Sequence, residues 1–189
     1  MGRASQSLAR VAVVVRAGAA PLWWLGLLAA GTGTLLPGLT GRRIGVLTGA
    51  ALALIVGTVT ALARWRRYRG RATAATRAAR GDVLQDRRVT LRLWRRAHRW
   101  WFAAAFLAAV ASSFVLPAAG GLVVAGVGAG LWAKAVRLGQ WERDQDRLLW
   151  VRADAAQGGR TLRTAAFWCT GVAAGDAEPG GSRRRQAVR

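Results

Sequence analysis

Residues 44–63 have the sequence IGVLTGAALALIVGTVTALA, twenty residues without a charge between Arg43 and Arg64. About twenty consecutive apolar residues are enough for an α-helix to cross the hydrocarbon core of a bilayer. The chain continues as Arg64-Trp65-Arg66-Arg67-Tyr68-Arg69, and Trp and Tyr among basic residues are typical of a membrane–water interface. The stretch therefore predicts a transmembrane helix that ends near Ala63.

Two further uncharged runs flank this helix. Residues 17–41 precede it without a charge, so residues 17–63 are predicted to form a first transmembrane hairpin. The run from Trp100 to Ala133 is too long for one ordinary span, but Pro117 to Gly121 offers a turn near its middle. We therefore predict a second hairpin over residues 100–137, and an all-α integral membrane protein with four transmembrane helices in two hairpins.

The segments outside the hairpins are predicted to lie in the cytoplasm. Leu138 to Gln157 carries charged side chains with apolar ones at helical spacing, which predicts a surface helix. Thr164 to Gly175 is apolar but too short to span a bilayer. The predicted parts are a cytoplasmic N-terminus at 1–16, an Arg-rich cytoplasmic loop at 64–99, a cytoplasmic surface helix with a short apolar segment at 138–174, and a disordered basic tail at 175–189.

The distribution of charge predicts the orientation. The 189 residues carry a formal net charge of +21 although 53% of them are hydrophobic. Basic residues in short connecting segments are retained on the cytoplasmic side of a membrane. The N-terminal segment, the 64–99 loop and the segment from Lys134 onward carry +3, +11 and +5, whereas the two opposite connections carry +2 and zero. We therefore predict that both termini lie inside.

The basic residues also indicate the source of the chain. Lys134 is the only lysine, and all the other basic residues counted in the net charge are arginine. Together with abundant Ala and Gly, this usage is typical of a GC-rich genome. The predicted location is therefore a bacterial inner (cell) membrane.

Residue types that carry catalysis are scarce. Cys169 is the single cysteine and His98 the single histidine, so no disulfide, Cys–His dyad or zinc site is expected. The chain has no GxxxxGK phosphate loop, and the predicted spans contain no Asp, Glu or His. We therefore expect no enzyme activity, no catalytic, cofactor-binding or metal-binding residues, no cofactor and no small-molecule substrate.

Small residues recur at four-residue intervals in the second predicted span, and the fourth predicted span repeats the pattern. This spacing places them on one helix face, where another helix can approach closely and be held by van der Waals contacts in lipid. The pattern leaves open whether the partner helix belongs to the same chain or to a homo-oligomer. The predicted packing residues are Gly45, Gly49, Ala53, Gly57, Ala61, Gly126 and Gly130.

The Arg-rich loop is predicted to contain a basic amphipathic helix. Asp82 is a suitable N-cap, and Leu91, Trp94 and Trp101 lie on about one helical face. Basic amphipathic helices with Trp lie on anionic membrane surfaces. The predicted lipid or nucleic-acid contacts are Arg64, Arg66, Arg67, Arg69, Arg71, Arg87, Arg88, Arg92, Arg95, Arg96 and Arg99. The predicted interface anchors are Trp65, Tyr68, Trp94, Trp100 and Trp101.

Three partners for this loop remain open on the sequence alone. Its arginines can fix topology and bind anionic lipid head groups, neutralise nucleic-acid phosphates beside stacking aromatic residues, or dock an acidic protein. The leading hypothesis is a non-enzymatic scaffold or regulatory subunit in the membrane. The alternatives are a membrane-tethered nucleic-acid-binding protein in DNA transfer or segregation, and a small oligomeric pore or transporter.

Overall fold

The computed structural model is mostly helical and describes residues 7–78, 82–157 and 166–171. Within these residues the chain divides into two compact units. The helical unit comprises residues 15–63 and 95–136, and the sheet unit takes its described residues from 7–14, 64–94 and 137–171. The elements in chain order are β1 (Ser7–Arg10), α1 (Val11–Ala17), α2 (Ala19–Leu35), α3 (Arg42–Leu62), α4 (Trp65–Thr73), β2 (Thr76–Arg77), β3 (Val83–Leu84), α5 (Arg87–Ala97), α6 (Arg99–Ser112), α7 (Ala119–Asp144), β4 (Arg147–Arg152), α8 (Ala153–Gln157) and β5 (Trp168–Gly171).

Helix α3 is almost entirely apolar, and only Gly45 and Gly49 among its residues are buried. Only 6% of the most apolar part of the stretch Arg42–Thr73 is buried within the protein. Leu47, Leu54 and Val59 are among its exposed side chains. Soluble proteins rarely leave so large a contiguous apolar surface in water. By its composition, the surface of α3 is suited to lipid.

Within the part of the chain that the structure describes, three helical stretches are long and apolar enough to cross a membrane, namely Val11–Leu35, Arg42–Thr73 and Ala119–Asp144. The fourth predicted span corresponds to α6, which has only 14 residues. At 1.5 Å per residue α6 is about 21 Å long, shorter than a hydrocarbon core of about 30 Å. The hydroxyls of Ser112 and Ser113 both donate to the Ala109 carbonyl oxygen, at 2.7 and 3.2 Å, where the helix ends. Such bonds compete with helix continuation.

The two connections between apolar helices in the helical unit are hydrogen-bonded to each other. The Leu39 N–H donates to the Phe114 carbonyl oxygen at 3.0 Å, and the Thr40 N–H donates to the Val115 carbonyl oxygen at 3.3 Å. The Thr40 hydroxyl donates to the same Val115 oxygen at 2.6 Å. The α2–α3 connection and the α6–α7 connection therefore lie side by side at one end of this unit.

The sheet unit contains one five-stranded sheet in the order β2-β5-β4-β1-β3. The central strand β4 is antiparallel to β1 on one side and to β5 on the other. The edge strands pair in parallel, β3 with β1 and β2 with β5. Leu8, Leu148 and Trp150 form a buried cluster on this sheet, and Leu84 and Trp168 pack against it. Three separate parts of the chain thus supply the strands.

The sheet corrects the prediction of an all-α fold and of a surface helix over Leu138 to Gln157. Helix α7 continues to Asp144, Asp146 has a left-handed φ of 48°, and β4 begins at Arg147. Residues 148–151 are apolar and buried, and a short apolar run does not distinguish a helix from a buried strand. Pairing with β1 and β5 decides in favour of the strand.

The predicted apolar segment at 164–175 is described only in part. Residues 168–171 form β5, and its Trp168 packs against the sheet cluster. Residues 164–165 and 172–175 lie outside the described residues, as does the predicted basic tail at 175–189. Of the described residues of this segment, 166–167 precede the strand and 168–171 form it.

The amphipathic helix of the Arg-rich loop begins later than predicted. Residues 83–84 form β3, and α5 begins at Arg87, so Asp82 is not its N-cap. The Thr90 N–H donates to the Asp86 carbonyl oxygen at 3.0 Å at the start of this helix. Pairing between β3 and β1, which is distant in sequence, overrides the local capping signal.

Lys134 provides a hydrogen-bond donor to the C-terminal end of α3. Its Nζ donates to the Ala63 carbonyl oxygen at 2.7 Å, and the residue is 7% exposed. A cation at a helix C-terminus binds a carbonyl group that has no partner within the helix. We expect Lys134→Met to lower the free energy of unfolding by about 1–2 kcal/mol, because a charge-assisted hydrogen bond is lost while the aliphatic stem keeps its packing.

Thermal unfolding of the detergent-solubilised protein measures this effect. Arg143→Met is the matched control, since it removes a charge from an exposed position of the same helix. Equal melting temperatures for the two variants would contradict the capping role of Lys134.

Candidate functional site

The predicted packing stripe of α3 lies against the beginning and middle of α7. A Cβ added at Gly49 would lie 2.7 Å from the Ala119 Cα, and one added at Gly57 would lie 3.0 Å from the Gly126 carbonyl oxygen. At these distances a side chain could be accommodated only by moving the backbone. The remaining contacts of the predicted set join Gly45 to Pro117, Gly126 to Ala53, and Gly130 to Gly57 and Thr60, while Ala61 is half-buried.

A second glycine contact, between α2 and α7, was missed by the sequence analysis. A Cβ added at Gly121 would lie 2.6 Å from the Ala30 Cα, and one added at Gly26 would lie 2.7 Å from the Gly121 carbonyl oxygen. Ala19, Gly26 and Gly33 recur every seven residues in α2, and all three are buried. This heptad spacing is the sequence signal that would have indicated the contact. Helix α7 thus packs closely against two helices.

The predicted lipid or nucleic-acid contacts are spread over three helices. Arg64 directly precedes α4, and Arg99 is the first residue of α6. Every arginine in the set is exposed except Arg71, which is half-buried. The others are carried by α4 (Arg66, Arg67, Arg69 and Arg71) and by α5 (Arg87, Arg88, Arg92, Arg95 and Arg96).

Among the described residues, Arg64, just before α4, and Arg67, Tyr68 and Arg71 of α4 line a recess, which we call the α4 recess. Their spacing of i, i+3, i+4 and i+7 places them together on a helix surface. Arg64 has left-handed backbone angles, φ 60° and ψ 13°, and its carbonyl oxygen accepts the Tyr68 N–H at 3.0 Å. Arg64 therefore interrupts the helical backbone between α3 and α4, and its carbonyl oxygen accepts a hydrogen bond from the first turn of α4.

A buried aromatic side chain supports this face. The Tyr68 and Phe167 ring centroids are 6.1 Å apart, and the Arg71 guanidinium carbon lies 6.0 Å from the Phe167 centroid. Phe167 is buried, and its carbonyl oxygen accepts the Thr76 N–H at 3.3 Å next to β2. Contact with Phe167 restricts the side chains of Tyr68 and Arg71 on one side of the recess.

The other predicted interface anchors have different surroundings. Trp65 is half-buried, and the Arg137 guanidinium carbon lies 4.8 Å from its ring centroid. Trp94 is also half-buried, in α5. Trp100 and Trp101 are exposed in the first turn of α6. The indole rings at the start of α6 are therefore more exposed than those of Trp65 and Trp94.

A buried ion pair holds the sheet unit together. Glu142 is 0% exposed, and its Oε2 accepts hydrogen bonds from Arg10 Nη2 at 2.7 Å and Nε at 3.2 Å. Its Oε1 accepts the Leu149 backbone N–H at 3.2 Å. One carboxylate therefore joins the end of β1, the last turns of α7 and the strand β4. Sequence reasoning missed this pair, because no local pattern links residues 132 positions apart.

The Asp154 carboxylate is exposed, whereas the Glu142 carboxylate is buried. The Ala155 N–H at 2.8 Å and, after it, the Arg152 guanidinium at 3.0 Å hold the pKa of Asp154 below its ordinary value. This pair lies on the surface, where solvent screens it. Within the described residues, no three His, Cys, Asp or Glu side chains lie close enough together to hold a metal ion.

No protein family, curated protein or solved structure matches the chain.

Proposed function

We propose that this chain is a non-enzymatic scaffold or regulatory subunit of a bacterial inner membrane, which binds anionic lipid head groups through its arginine-rich segments. The length and the apolar composition of helix α3 are the main support for the proposal. The helix has 21 residues, begins with Arg42-Arg43, is apolar from residue 44 onward with exposed large side chains along this length, and is followed by Arg64. At 1.5 Å per residue it is about 32 Å long, close to the thickness of the hydrocarbon core.

The pairing of the strands supports a location of the three contributing segments on the same side of the bilayer. Strand β1 comes from the N-terminal segment, β2 and β3 come from the Arg-rich loop, and β4 and β5 come from the C-terminal segment. Strands on opposite sides of a bilayer cannot pair, because open strands do not cross hydrocarbon. The chain would therefore cross an even number of times between β1 and β2, and again between β3 and β4.

The even number of crossings between β3 and β4 favours α6 as the partner of α7 in a second hairpin. Crossing by α7 alone would place β4 on the opposite side from β3. The bond between Leu39 and Phe114 supports the hairpin, because it brings the α6–α7 connection to the same end of the helical unit as the α2–α3 connection. The short α6 would then cross where the bilayer is locally thinned, with Trp100 and Trp101 at the interface.

The charge distribution favours the cytoplasmic side for the sheet. The three segments that supply its strands carry +19 of the net +21. Short segments rich in arginine are retained inside during insertion. The proposed topology therefore has both termini and the Arg-rich loop inside.

Topology reporters test the proposal directly. A reporter that is active only outside the cytoplasm is expected to be active when fused after Pro117 and inactive when fused after Gln157, and a cytoplasmic fluorescent reporter is expected to give the reverse. The full chain is expected to stay in the membrane fraction during alkaline carbonate extraction. Reporters that place both positions on one side would overturn the second hairpin, and extraction by carbonate would overturn membrane insertion.

Anionic lipid is proposed as the partner because the arginines of α4 follow the apolar helix α3 within a few residues. That position corresponds to the head-group region if α3 spans the bilayer. In mixed nanodiscs the full-length protein is expected to enrich anionic over zwitterionic lipid, and to bind duplex DNA weakly at moderate salt. Tight binding of DNA at that salt would favour the membrane-tethered nucleic-acid-binding protein instead.

A further inference from the structure

We propose that the α4 recess binds a phosphomonoester group of a lipid head group. The proposal rests on the proposed function, since it requires α3 to span the bilayer, and it adds a defined site to a general attraction. Among the described residues, the lining provides three guanidinium groups and one phenol, and it includes no carboxylate. Three guanidinium groups on a single helix face concentrate positive charge, which attracts an anion.

The chemistry of the lining residues selects phosphate. A guanidinium group donates two parallel N–H···O bonds to phosphate oxygens, which makes Arg better suited than Lys to this geometry. The Tyr68 hydroxyl can add a donor to a phosphate oxygen. A phosphomonoester carries up to two negative charges near neutral pH, so it balances the three cations better than a singly charged phosphodiester.

The position of the recess selects a lipid as the source of the phosphate. Arg64 directly follows Ala63, at the end of the apolar run 44–63. With α3 about 32 Å long and spanning the core, the first turn of α4 lies at the level of the head groups. A lipid phosphate is concentrated at this level and does not need to be captured from solution.

Part of the site is preorganised. Phe167 is buried and contacts both Tyr68 and Arg71, so these side chains lose less rotamer freedom when they bind a ligand. Arg66 and Arg69 belong to the same helix but do not line the recess. They therefore provide a control with an equal loss of charge at nearly the same depth.

Titration of the full-length protein in detergent with short-chain phosphatidic acid tests the site. We expect R67Q/R71Q to weaken binding by at least about tenfold and R66Q/R69Q by less than about threefold, because only the first pair removes bidentate contacts. Short-chain phosphatidylglycerol, a phosphodiester, should bind more weakly than phosphatidic acid. Equal losses in the two double variants, or equal binding of the two lipids, would overturn the site.

Inorganic phosphate distinguishes the two sources of the anion. It is expected to compete only weakly with phosphatidic acid, and competition at comparable concentrations would overturn the assignment to a lipid. If R67Q/R71Q does not fold, R67Q replaces it and R66Q becomes its control, since both arginines are exposed. Carbonate extraction separates the failures: a protein that stays embedded but shows no difference between variants contradicts the recess alone, whereas an extractable protein contradicts the proposed function.

Discussion

Replacing Glu142 by alanine is expected to lower the free energy of unfolding by about 3–5 kcal/mol, because Arg10 would be left as a partly buried cation without its partner. The Leu149 N–H would lose its acceptor at the same time. A loss of this size is a large part of the about 5–15 kcal/mol that stabilises a typical domain. Thermal unfolding in detergent, together with the rate of tryptic cleavage at Arg152, measures the effect.

Two variants control this experiment. Arg10→Met with Glu142→Leu removes both charges, so it is expected to recover much of the stability lost in Glu142→Ala. Asp154→Ala removes a carboxylate from an exposed ion pair and should leave the melting temperature nearly unchanged. If Glu142→Ala unfolds at the same temperature as Asp154→Ala, the buried pair is not a stabilising contact of the sheet unit.

Replacing Gly126 by isoleucine is expected to separate α3 from α7. A Cβ at this position would lie 2.8 Å from the Ala53 Cα and closer still to the Ala53 carbonyl oxygen, and both are backbone atoms that cannot rotate away. Overpacking of this kind costs about 1–3 kcal/mol, and occasionally more, when the backbone has to shift. The expected result is a lower melting temperature and a smaller yield of monodisperse protein in detergent.

Gly31→Ile is the matched control, because a Cβ at Gly31 has no atom within 4 Å and the residue also lies in an apolar helix. The two variants also distinguish whether the helix that contacts the small-residue stripe belongs to the same chain or to a second copy of it. An intramolecular contact predicts that Gly126→Ile lowers the melting temperature without changing the oligomeric state. Dissociation of an oligomer at an unchanged melting temperature would instead assign the stripe to a contact between chains.

The sequence predicted those features that depend on neighbouring residues. The apolar run 44–63 corresponds to α3, which spans Arg42–Leu62, because charge and hydropathy along a single helix are local properties. The predicted turn at Pro117 falls between α6 and α7 for a similar reason. The four-residue spacing of glycine in α3 also lies within one helix, so the face that α7 approaches could be identified in advance.

Features that depend on distant residues could not be predicted. Ser7–Arg10 is a four-residue strand whose partner β4 is more than 130 residues away, and nothing in its own composition indicates the pairing. Phe167, which contacts Tyr68 and Arg71 beside the α4 recess, is supplied by the chain next to β5. Arg64 was predicted only as a lipid or nucleic-acid contact, because its residue type does not indicate the left-handed backbone that it has between α3 and α4.

The origin of the strands has a consequence for synthesis of the protein. Strand β1 leaves the ribosome first, but β4 and β5 follow only after every apolar helix has been made. In the proposed topology the sheet would assemble last, and β1 would lack its partner while the helices insert. A chain with one hairpin inserted wrongly would then hold β1 and β4 on opposite sides of the membrane, with their edges unpaired. Completion of the sheet would thus depend on correct insertion of both hairpins.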